Sequence, residues 1–231
     1  MTRTQEPKRI VIFGIGKAAA TAERYFRADT PHEVVGYAVD VDYLRTDEFL
    51  GWPVVSIDSV VRRFPPSEVH AFVAMGAVRM NQLGAEKYAA LKGLGYRFVS
   101  YVHSSNDIYQ KGTVGENCFI LEGQTTNYGC SIGNNVTMWS GCHIGDDSHV
   151  ADDCFLGAHV VINGFVEVGA GSYLGSNCTI SGGIRLGLQS FIGANALIAK
   201  STADRSVHVI EAAAALEIDS LRFLKLLRYD V

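Results

Sequence analysis

The sequence lacks several features that would assign it to a large class of proteins. It has no long hydrophobic run, since the apolar stretch RIVIFGIG is too short to span a bilayer. It has no excess of positive charge, because 20 Lys and Arg stand against 24 Asp and Glu, so no basic stripe points to nucleic acid. The first ten residues are polar and hold no secretory apolar segment. These absences predict a cytoplasmic protein that binds neither membrane nor nucleic acid.

The five cysteines lack the spacing of a metal site or of a disulfide framework. No CxxC pair occurs and the number is odd. A buried Cys behaves as a small apolar residue, and reduced thiols are usual in the cytoplasm. We therefore expect reduced core thiols and no metal site.

A six-residue period dominates the second half of the chain. Fifteen units run without a break over residues 113–202, and the second residue is aliphatic or Met in fourteen of them, with Thr126 the exception. The third residue is often Gly, which we expect to permit corner conformations. The sixth is small or compact, and all five cysteines stand there: Cys118, Cys130, Cys142, Cys154 and Cys178. A fixed period decides the architecture. This one predicts a left-handed parallel β-helix with three units in each 18-residue coil.

Stacking every 18 residues places residues of successive coils in vertical columns. One column stands immediately before the inward aliphatic and is mostly aromatic: Phe119, Thr137, Phe155, Tyr173 and Phe191. We expect it to line one outer face, as a stacked ladder or as a contact between subunits.

Residues 8–100 do not follow the six-residue rule and have the pattern of alternating strands and helices. Strands are predicted at residues 9–13, 33–39, 52–55, 70–75 and 97–102, and helices at residues 17–28, 56–64 and 80–94. This alternation predicts a parallel sheet with crossover helices.

The chain is therefore expected to contain a Rossmann-like α/β domain over residues 1–103 and a β-helix over residues 104–205. The segment 206–231 leaves the repeat, and apolar residues stand there at helical spacing: Ile218, Leu221, Leu224 and Leu227. We predict a terminal helix that caps the β-helix. Docking on a neighbouring subunit is the alternative.

The turn after the first strand has part of a nucleotide-binding pattern. Gly14 and Gly16 precede a helix whose first amides can hold phosphate, and Lys17 can add charge. Ala19 stands where the dinucleotide fingerprint has its third glycine, and Asp40 ends the second strand, where an acid often receives a ribose hydroxyl. A domain of about 100 residues is too small for the whole dinucleotide fold, which favours a mononucleotide or nucleotide sugar over NAD. A plain tight turn is the alternative.

A polar cluster lies in the middle coils. Its members are His143, Asp146, Asp147, His149, Asp152, Asp153 and His159. A carboxylate beside an imidazole is the arrangement of a general base, and histidine changes charge near neutral pH. Surface decoration is the alternative. A shared metal ion is disfavoured because His143 and His149 belong to adjacent faces.

The start IVIFGIGKAA, the segment HSS at residues 103–105 and the repeats beginning near Val114 resemble one branch of the hexapeptide-repeat acyltransferases. This branch is the family of sialic acid O-acetyltransferases and nucleotide-sugar N-acetyltransferases, including the bacillosamine and perosamine types. The resemblance covers roughly residues 8–205. It implies a homotrimer, acetyl-CoA in a cleft between neighbouring β-helices, and a nucleotide sugar on the N-terminal domain.

The resemblance also implies residue roles. The family base is a histidine two residues after the inward aliphatic, and Asp146 holds that position here, followed by Asp147. Another branch, with the segment WSGNHIGHHS, aligns with residues 139–148 and retains His143. We therefore expect His143 and Asp146 to be catalytic, with Asp147 as an orienting acid. We expect His149 and His159 to lie in the substrate site, where either is a reserve candidate for the base. Acetyl-CoA contacts are expected at Gly175, Ser181, Gly193 and Lys200.

The implied reaction is acetyl transfer from acetyl-CoA to the amino group of a nucleotide-linked aminosugar, in bacterial surface-glycan biosynthesis. An amine needs a weaker base than a hydroxyl, so an acid in place of the family histidine favours N- over O-transfer. The alternatives are a sugar O-acetyltransferase and a non-catalytic trimeric binding or assembly protein, which loss of that histidine would favour. A metal-dependent lyase is a further alternative that needs three histidine ligands from adjacent chains.

We expect a trimer in solution. A lone prism leaves flat faces and an outward aromatic column, and the implied cleft needs two subunits. Light scattering should give about three times the 25.0 kDa chain mass. A monomer at every concentration would contradict the trimer and any shared site.

Overall fold

The structure is a computed structural model that describes residues 6–227. Residues 1–5 of the predicted α/β domain and residues 228–231 of the predicted terminal segment lie outside this range. An α/β domain comes first, a triangular β-helix follows, and a short helix ends the described chain.

The N-terminal domain is a five-stranded sheet with helical crossovers. Its strands are β1 Arg9–Phe13, β2 Glu33–Val39, β3 Glu48–Phe49, β4 Trp52–Ser56 and β5 His70–Val73, in the order β3-β4-β2-β1-β5. All neighbours are parallel except β3 and β4. The helices are α1 Lys17–Asp29, α2 Ile57–Arg63 and α3 Gln82–Gly93, with a 3-10 turn at Val41–Tyr43. The predicted parallel sheet is confirmed.

Side chains of β1 alternate between two hydrophobic cores, one on each side of the sheet. Ile10 and Ile12 pack with Phe26 of α1. Val11 and Phe13 pack with Val60 of α2 and other buried residues. This period of two explains why the strand is apolar throughout, since helices cover both faces.

The single strand predicted over residues 97–102 is wrong. Phe98 makes one parallel bridge to Ala71 of the N-terminal sheet, whereas β6, Tyr101–Val102, pairs with the first coil of the β-helix. The chain changes sheets at Ser100, whose hydroxyl donates to the carbonyl of Gly115 and accepts from the amide of Cys118. The coil edge offers Tyr101 and His103 backbone partners that the N-terminal sheet does not.

Three parallel sheets form the β-helix, and α4, Ile108–Lys111, leads into it. The first face contains β7 Thr113–Val114, β10 Ser131–Ile132, β13 His149–Val150, β16 Glu167–Val168 and β19 Arg185–Leu186. The second face contains β6, β8 Phe119–Ile120, β11 Thr137–Met138, β14 Phe155–Leu156, β17 Tyr173–Leu174, β20 Phe191–Ile192 and β22 Val207–His208. The third face contains β9 Thr125–Thr126, β12 His143–Ile144, β15 Val161–Ile162, β18 Thr179–Ile180 and β21 Leu197–Ile198.

The repeat positions have the expected packing inside the prism. Inward residues such as Ile144, Ile162 and Ile180 are fully buried in one continuous core. All five cysteines are buried and free, at the sixth position of their units. Burial raises the pKa of Cys118 and Cys154 to about 12, so these thiols stay protonated near neutral pH and serve as packing groups.

Glycine at the third position has a different cause from the one expected. The left-handed backbone conformation occurs at the fifth position instead, for example at Gly141 and Asn195. A Cβ added at the third-position Gly187 would lie 2.5 Å from the carbonyl oxygen of Ala203 on the next coil. Third-position glycine therefore allows coils to stack closely.

The terminal helix is shorter than expected. α5 spans Ser220–Leu226 and is capped by Asp219, whose carboxylate accepts from the amides of Leu221 and Arg222. Within the segment predicted as a cap, β22 extends the second face by one strand. Leu221 and Leu226 are exposed, so α5 does not bury them against the prism. Its capping role stays a prediction.

We expect Gly187→Ala to lower the free energy of unfolding by about 1–3 kcal/mol, because overpacking here meets backbone that cannot move aside. Thermal unfolding followed by circular dichroism measures the effect. The control is Gly93→Ala at the end of α3, where an added Cβ meets nothing within 4 Å. Equal midpoints for both variants would contradict the packing explanation.

Candidate functional site

A crevice opens at the carboxyl edge of the N-terminal sheet. The chain runs from β1 through α1 to β2 on one side, while β5 lies on the other side of β1. Ligands of open parallel sheets bind outside such a reversal of strand order. A cavity of about 200 Å³ lies there, enclosed by α1, the end of β5 and the second face of the β-helix.

The first wall of the crevice is the turn that the sequence singled out. Gly14 has φ +115°, and a Cβ there would lie 3.1 Å from the carbonyl oxygen of Ala74, so the turn requires glycine. Gly16 caps α1 without any side-chain hydrogen bond. Lys17 is exposed and lines the cavity. A helix start with a lysine is suited to hold an anion.

Asp40 follows β2, as expected, but its carboxylate already has a partner. Lys87 of α3 lies 2.6 Å from it, and the same Nζ lies 5.8 Å from the centre of the Phe13 ring. A ribose hydroxyl at Asp40 would therefore share the carboxylate with Lys87. No sequence signal identified Lys87, because the pair joins residues 47 positions apart.

The second wall belongs to the outer surface of the β-helix. The predicted column is confirmed by the strand register, and the Phe155–Tyr173 and Tyr173–Phe191 rings stack at 5.2 and 4.9 Å. Thr137 interrupts the aromatic column and lines the cavity. Trp139 also lines the cavity and is 41% exposed. Sequence reasoning missed Trp139, although its size at a third position was the available signal.

A hydrogen-bonded cluster continues the crevice along α1. Lys17, Thr21 and Tyr25 are one helical turn apart and share a face. The Tyr25 hydroxyl donates to Glu122 at 3.2 Å, and the Ser140 hydroxyl donates to the same carboxylate at 2.9 Å. The pKa of Glu122 is lowered, mainly by a hydrogen bond from the residue's own backbone amide and further by these two hydroxyls. Burial acts in the opposite direction and raises it. The cluster keeps a carboxylate ionised near the corner that contains Trp139.

The HSS segment, residues 103–105, holds the end of α1 next to this cluster. The Ser104 amide and hydroxyl donate to Asp29 at the end of α1, at 2.9 and 2.5 Å. His103 accepts from the Ser105 amide at 3.2 Å, and its ring lies 6.5 Å from that of Tyr25. The segment thus joins the N-terminal domain to the first coil.

The predicted catalytic residues lie on other parts of the prism. His143 is on the third face, with Nδ1 2.9 Å from the Thr125 hydroxyl. Asp146 and Asp147 stand at the next corner, between the third and first faces, where Asp146 accepts from Asn127 at 2.9 Å. Both acids are exposed. No hydrogen bond joins His143 to either acid among residues 6–227.

The predicted substrate histidines are likewise separated. His149 lies on the first face, 2.7 Å from the Ser131 hydroxyl. His159 lies at the corner between the second and third faces, one coil after Trp139. These histidines are close in sequence but lie on different parts of the prism, because each six-residue unit turns the chain onto a new face.

The residues expected to contact acetyl-CoA divide between two corners. Gly175 and Gly193 stack in one column, and a Cβ at Gly175 would lie 2.6 Å from the Ala194 amide, so coil packing accounts for that glycine. Ser181 and Lys200 lie at the corner after the third face, and Lys200 is exposed. Their roles toward acetyl-CoA stay predictions.

The described chain lacks the side-chain arrangement of a metal site and the helix of a membrane span. Over residues 6–227, no group of three or more His, Cys, Asp or Glu side chains is placed to hold a metal ion. In the same part of the chain, no helix has both the length and the apolar character needed to cross a membrane.

The repeats match known protein families. Residues 129–164 and 147–182 match the bacterial transferase hexapeptide family, and residues 165–200 match the hexapeptide repeat of succinyl-transferase. The two matches together place hexapeptide repeats over residues 129–200. No curated protein matches it in overall sequence.

Solved structures share the fold over most of the chain. A complex of a His-to-Asn variant of perosamine N-acetyltransferase from Caulobacter crescentus with CoA and GDP-perosamine has a TM-score of 0.75 at 24% identity, covering 86% of this chain and 91% of that one. The acetyltransferase domain of PglB from Neisseria gonorrhoeae, with acetyl coenzyme A, has a TM-score of 0.57 at 16% identity, covering 87% and 96%. Repeats and fold together confirm the resemblance to the hexapeptide-repeat acyltransferases.

We expect Lys17→Ala to weaken the binding of a nucleoside diphosphate roughly 10- to 100-fold, since a charged contact contributes about 1.5–3 kcal/mol. Isothermal titration calorimetry with UDP, dTDP and GDP measures this. Lys92→Ala is the control. Lys92 lies in the last turn of α3, pairs with Glu116 and does not line the cavity. If both variants bind like the unmodified protein, the Gly14–Gly16 loop is only a turn.

Proposed function

We propose that the protein is an acetyl-CoA-dependent N-acetyltransferase acting on the amino group of a nucleotide-linked aminosugar. The observation that carries this proposal is the crevice between the anion-binding start of α1 and the aromatic face of the β-helix. Perosamine N-acetyltransferase, which shares this fold over 86% of the chain, binds CoA and GDP-perosamine. We place the reaction in bacterial surface-glycan biosynthesis and the protein in the cytoplasm, as a homotrimer.

The crevice has the chemistry of a nucleotide-sugar site. Backbone amides at the start of α1 and the Lys17 ammonium would bind the diphosphate. The apolar ring surfaces of Phe119, Phe155 and Trp139 suit the flat faces of a base or sugar. The diphosphate end and the Glu122 cluster are separated by two turns of α1, about 11 Å along its axis. An aminosugar attached to the diphosphate would therefore extend toward the Trp139 corner.

The reaction needs a neutral amine, an acetyl thioester and a proton acceptor. Acetyl-CoA supplies the activated acetyl group. Lys200 is an exposed cation suited to its phosphates, and Ser181 stands on the same corner one coil above. His143, Asp146 and Asp147 remain the acceptors that the family resemblance suggests. On the third face and its following corner, they lie away from the crevice of their own subunit, so they would act at a neighbour's crevice in a trimer.

Thr137→Phe is the sharpest test of where the nucleotide sugar binds. It completes the aromatic column and adds a ring where Thr137 lines the cavity, so we expect the fold to be retained and the crevice to be filled. In a thiol-release assay with acetyl-CoA and nucleotide-linked 4-amino and 3-amino sugars, we expect KM for the sugar to rise about tenfold or more. KM for acetyl-CoA should change little.

Tyr173→Phe, two coils further along the same column, is the control for Thr137→Phe. Mass spectrometry should locate the new acetyl group on nitrogen. An O-acetylated product would change the class of acceptor. The absence of thiol release with every aminosugar would refute the enzymatic proposal and favour a binding or assembly role.

A further inference from the structure

We infer that His159 accepts the proton of the substrate amine within the subunit that binds the nucleotide sugar. This inference rests on the proposed function. The sequence placed His159 in the substrate site and made it only a reserve candidate for the base, behind His143 and Asp146. Three observations support a catalytic role for His159. It shares a corner of the β-helix with Trp139, its ring packs against Gly141, and that ring makes no hydrogen bond within residues 6–227.

The corner between the second and third faces is the one that meets the crevice. Trp139 lines the cavity and begins that corner in its coil, followed by Ser140 and Gly141. His159 occupies the same corner one coil later, where its amide donates to the Ser140 carbonyl at 3.0 Å. His143 and His149 lie on the third and first faces instead. His159 is therefore the repeat-region imidazole that shares a corner with a crevice residue.

The imidazole of His159 is packed directly onto Gly141. A Cβ at Gly141 would lie 2.5 Å from Cε1 of His159, so only glycine leaves room for the ring. The ring is thereby held against the backbone of the coil that carries Trp139 and Ser140. Such packing fixes the direction of the imidazole, which a base needs if it is to meet the amine.

Within residues 6–227, the ring nitrogens of His159 make no hydrogen bond, unlike those of His143, His149 and His208. His143, His149 and His208 each hydrogen-bond to a Ser or Thr hydroxyl. Among the hydrogen bonds of residues 6–227, none is made by the His159 ring, which is exposed. The corner segments above and below it, residues 139–141 and 175–177, contain no charged side chain. Glu122 is one coil further up and is held by Ser140.

The step balances without any other reactant. The amine nitrogen forms a C–N bond with the acetyl carbonyl carbon, and the C–S bond of the thioester breaks. The proton leaves the nitrogen for the free imidazole nitrogen of His159. The imidazolium then returns this proton to the departing thiolate of CoA. The imidazole is regenerated, as in other cases of general base and acid catalysis by one histidine.

His159→Asn tests the inference without disturbing the corner. Asn177 and Asn195 hold the same left-handed position in the following coils, so asparagine suits the backbone. We expect kcat/KM to fall about 10²- to 10⁴-fold. The acid limb of its pH profile should disappear, and nucleoside diphosphate affinity should stay unchanged. His208→Asn removes an imidazole elsewhere and should leave both constants unchanged.

Gly141→Ala separates the position of the ring from its presence. Its Cβ would displace the imidazole, so we expect kcat to fall at least about tenfold. Gly123→Ala is the matched control, because Gly123 has φ +72° against +76° at Gly141 and its Cβ would meet no atom closer than 3.8 Å. Equal kcat in the two glycine variants would overturn the inference.

The outcomes distinguish this inference from the proposed function. Full activity of His159→Asn alongside an active unmodified enzyme would overturn the role of His159 and leave the N-acetyltransferase intact. A large loss in His143→Ala or Asp146→Asn with none in His159→Asn would assign the base to the corner predicted from the sequence. An unmodified protein inactive on every aminosugar would refute the function and, with it, the role of His159.

Discussion

The hydrogen bonds that each coil makes to the coil 18 residues later are the constraint on which the rest of the β-helix depends. His143 bonds to Val160 and Gly145 to Ile162, and the same pattern repeats along all three faces. Parallel strands lie about 4.8 Å apart, so any atom projecting along the axis meets the next coil. This spacing requires glycine at many third positions. It also aligns side chains into columns, including the aromatic column and the corner that contains Trp139 and His159.

The same ladder fixes the N-terminal domain on the prism. β6 is the first strand of the second face, so the chain leaves the α/β domain already paired with the first coil. The side chain of Asn117, in the first coil, accepts from the amide of Val73 at 2.7 Å, at the end of β5. Tyr101 donates to Asp29 at the end of α1. These ties hold α1 and β5 against the second face, and the crevice is the space left between them where Thr137 replaces an aromatic ring.

Charge is unevenly distributed between the two walls of this crevice. The start of α1 supplies amides and the Lys17 ammonium, whereas the β-helix wall is apolar until the Glu122 cluster. A ligand with an anionic end and an amine end fits that order. The thiols do not take part, because all five are buried in the core.

The sequence by itself determined the β-helix, its columns, the parallel α/β sheet and the turn at Gly14–Gly16. These features arise from local periodicity, since inward residues recur every six positions and strand alternates with helix. Only the tertiary structure decided that residues 101–102 belong to the β-helix and that Lys87 forms an ion pair with Asp40. It also decided that Trp139 and Thr137 line the crevice. It also showed that His143, Asp146, His149 and His159 lie on different faces and corners. The physical reason is that contacts between the domains join residues far apart in the chain, and a periodic pattern contains no information about which face the first domain covers.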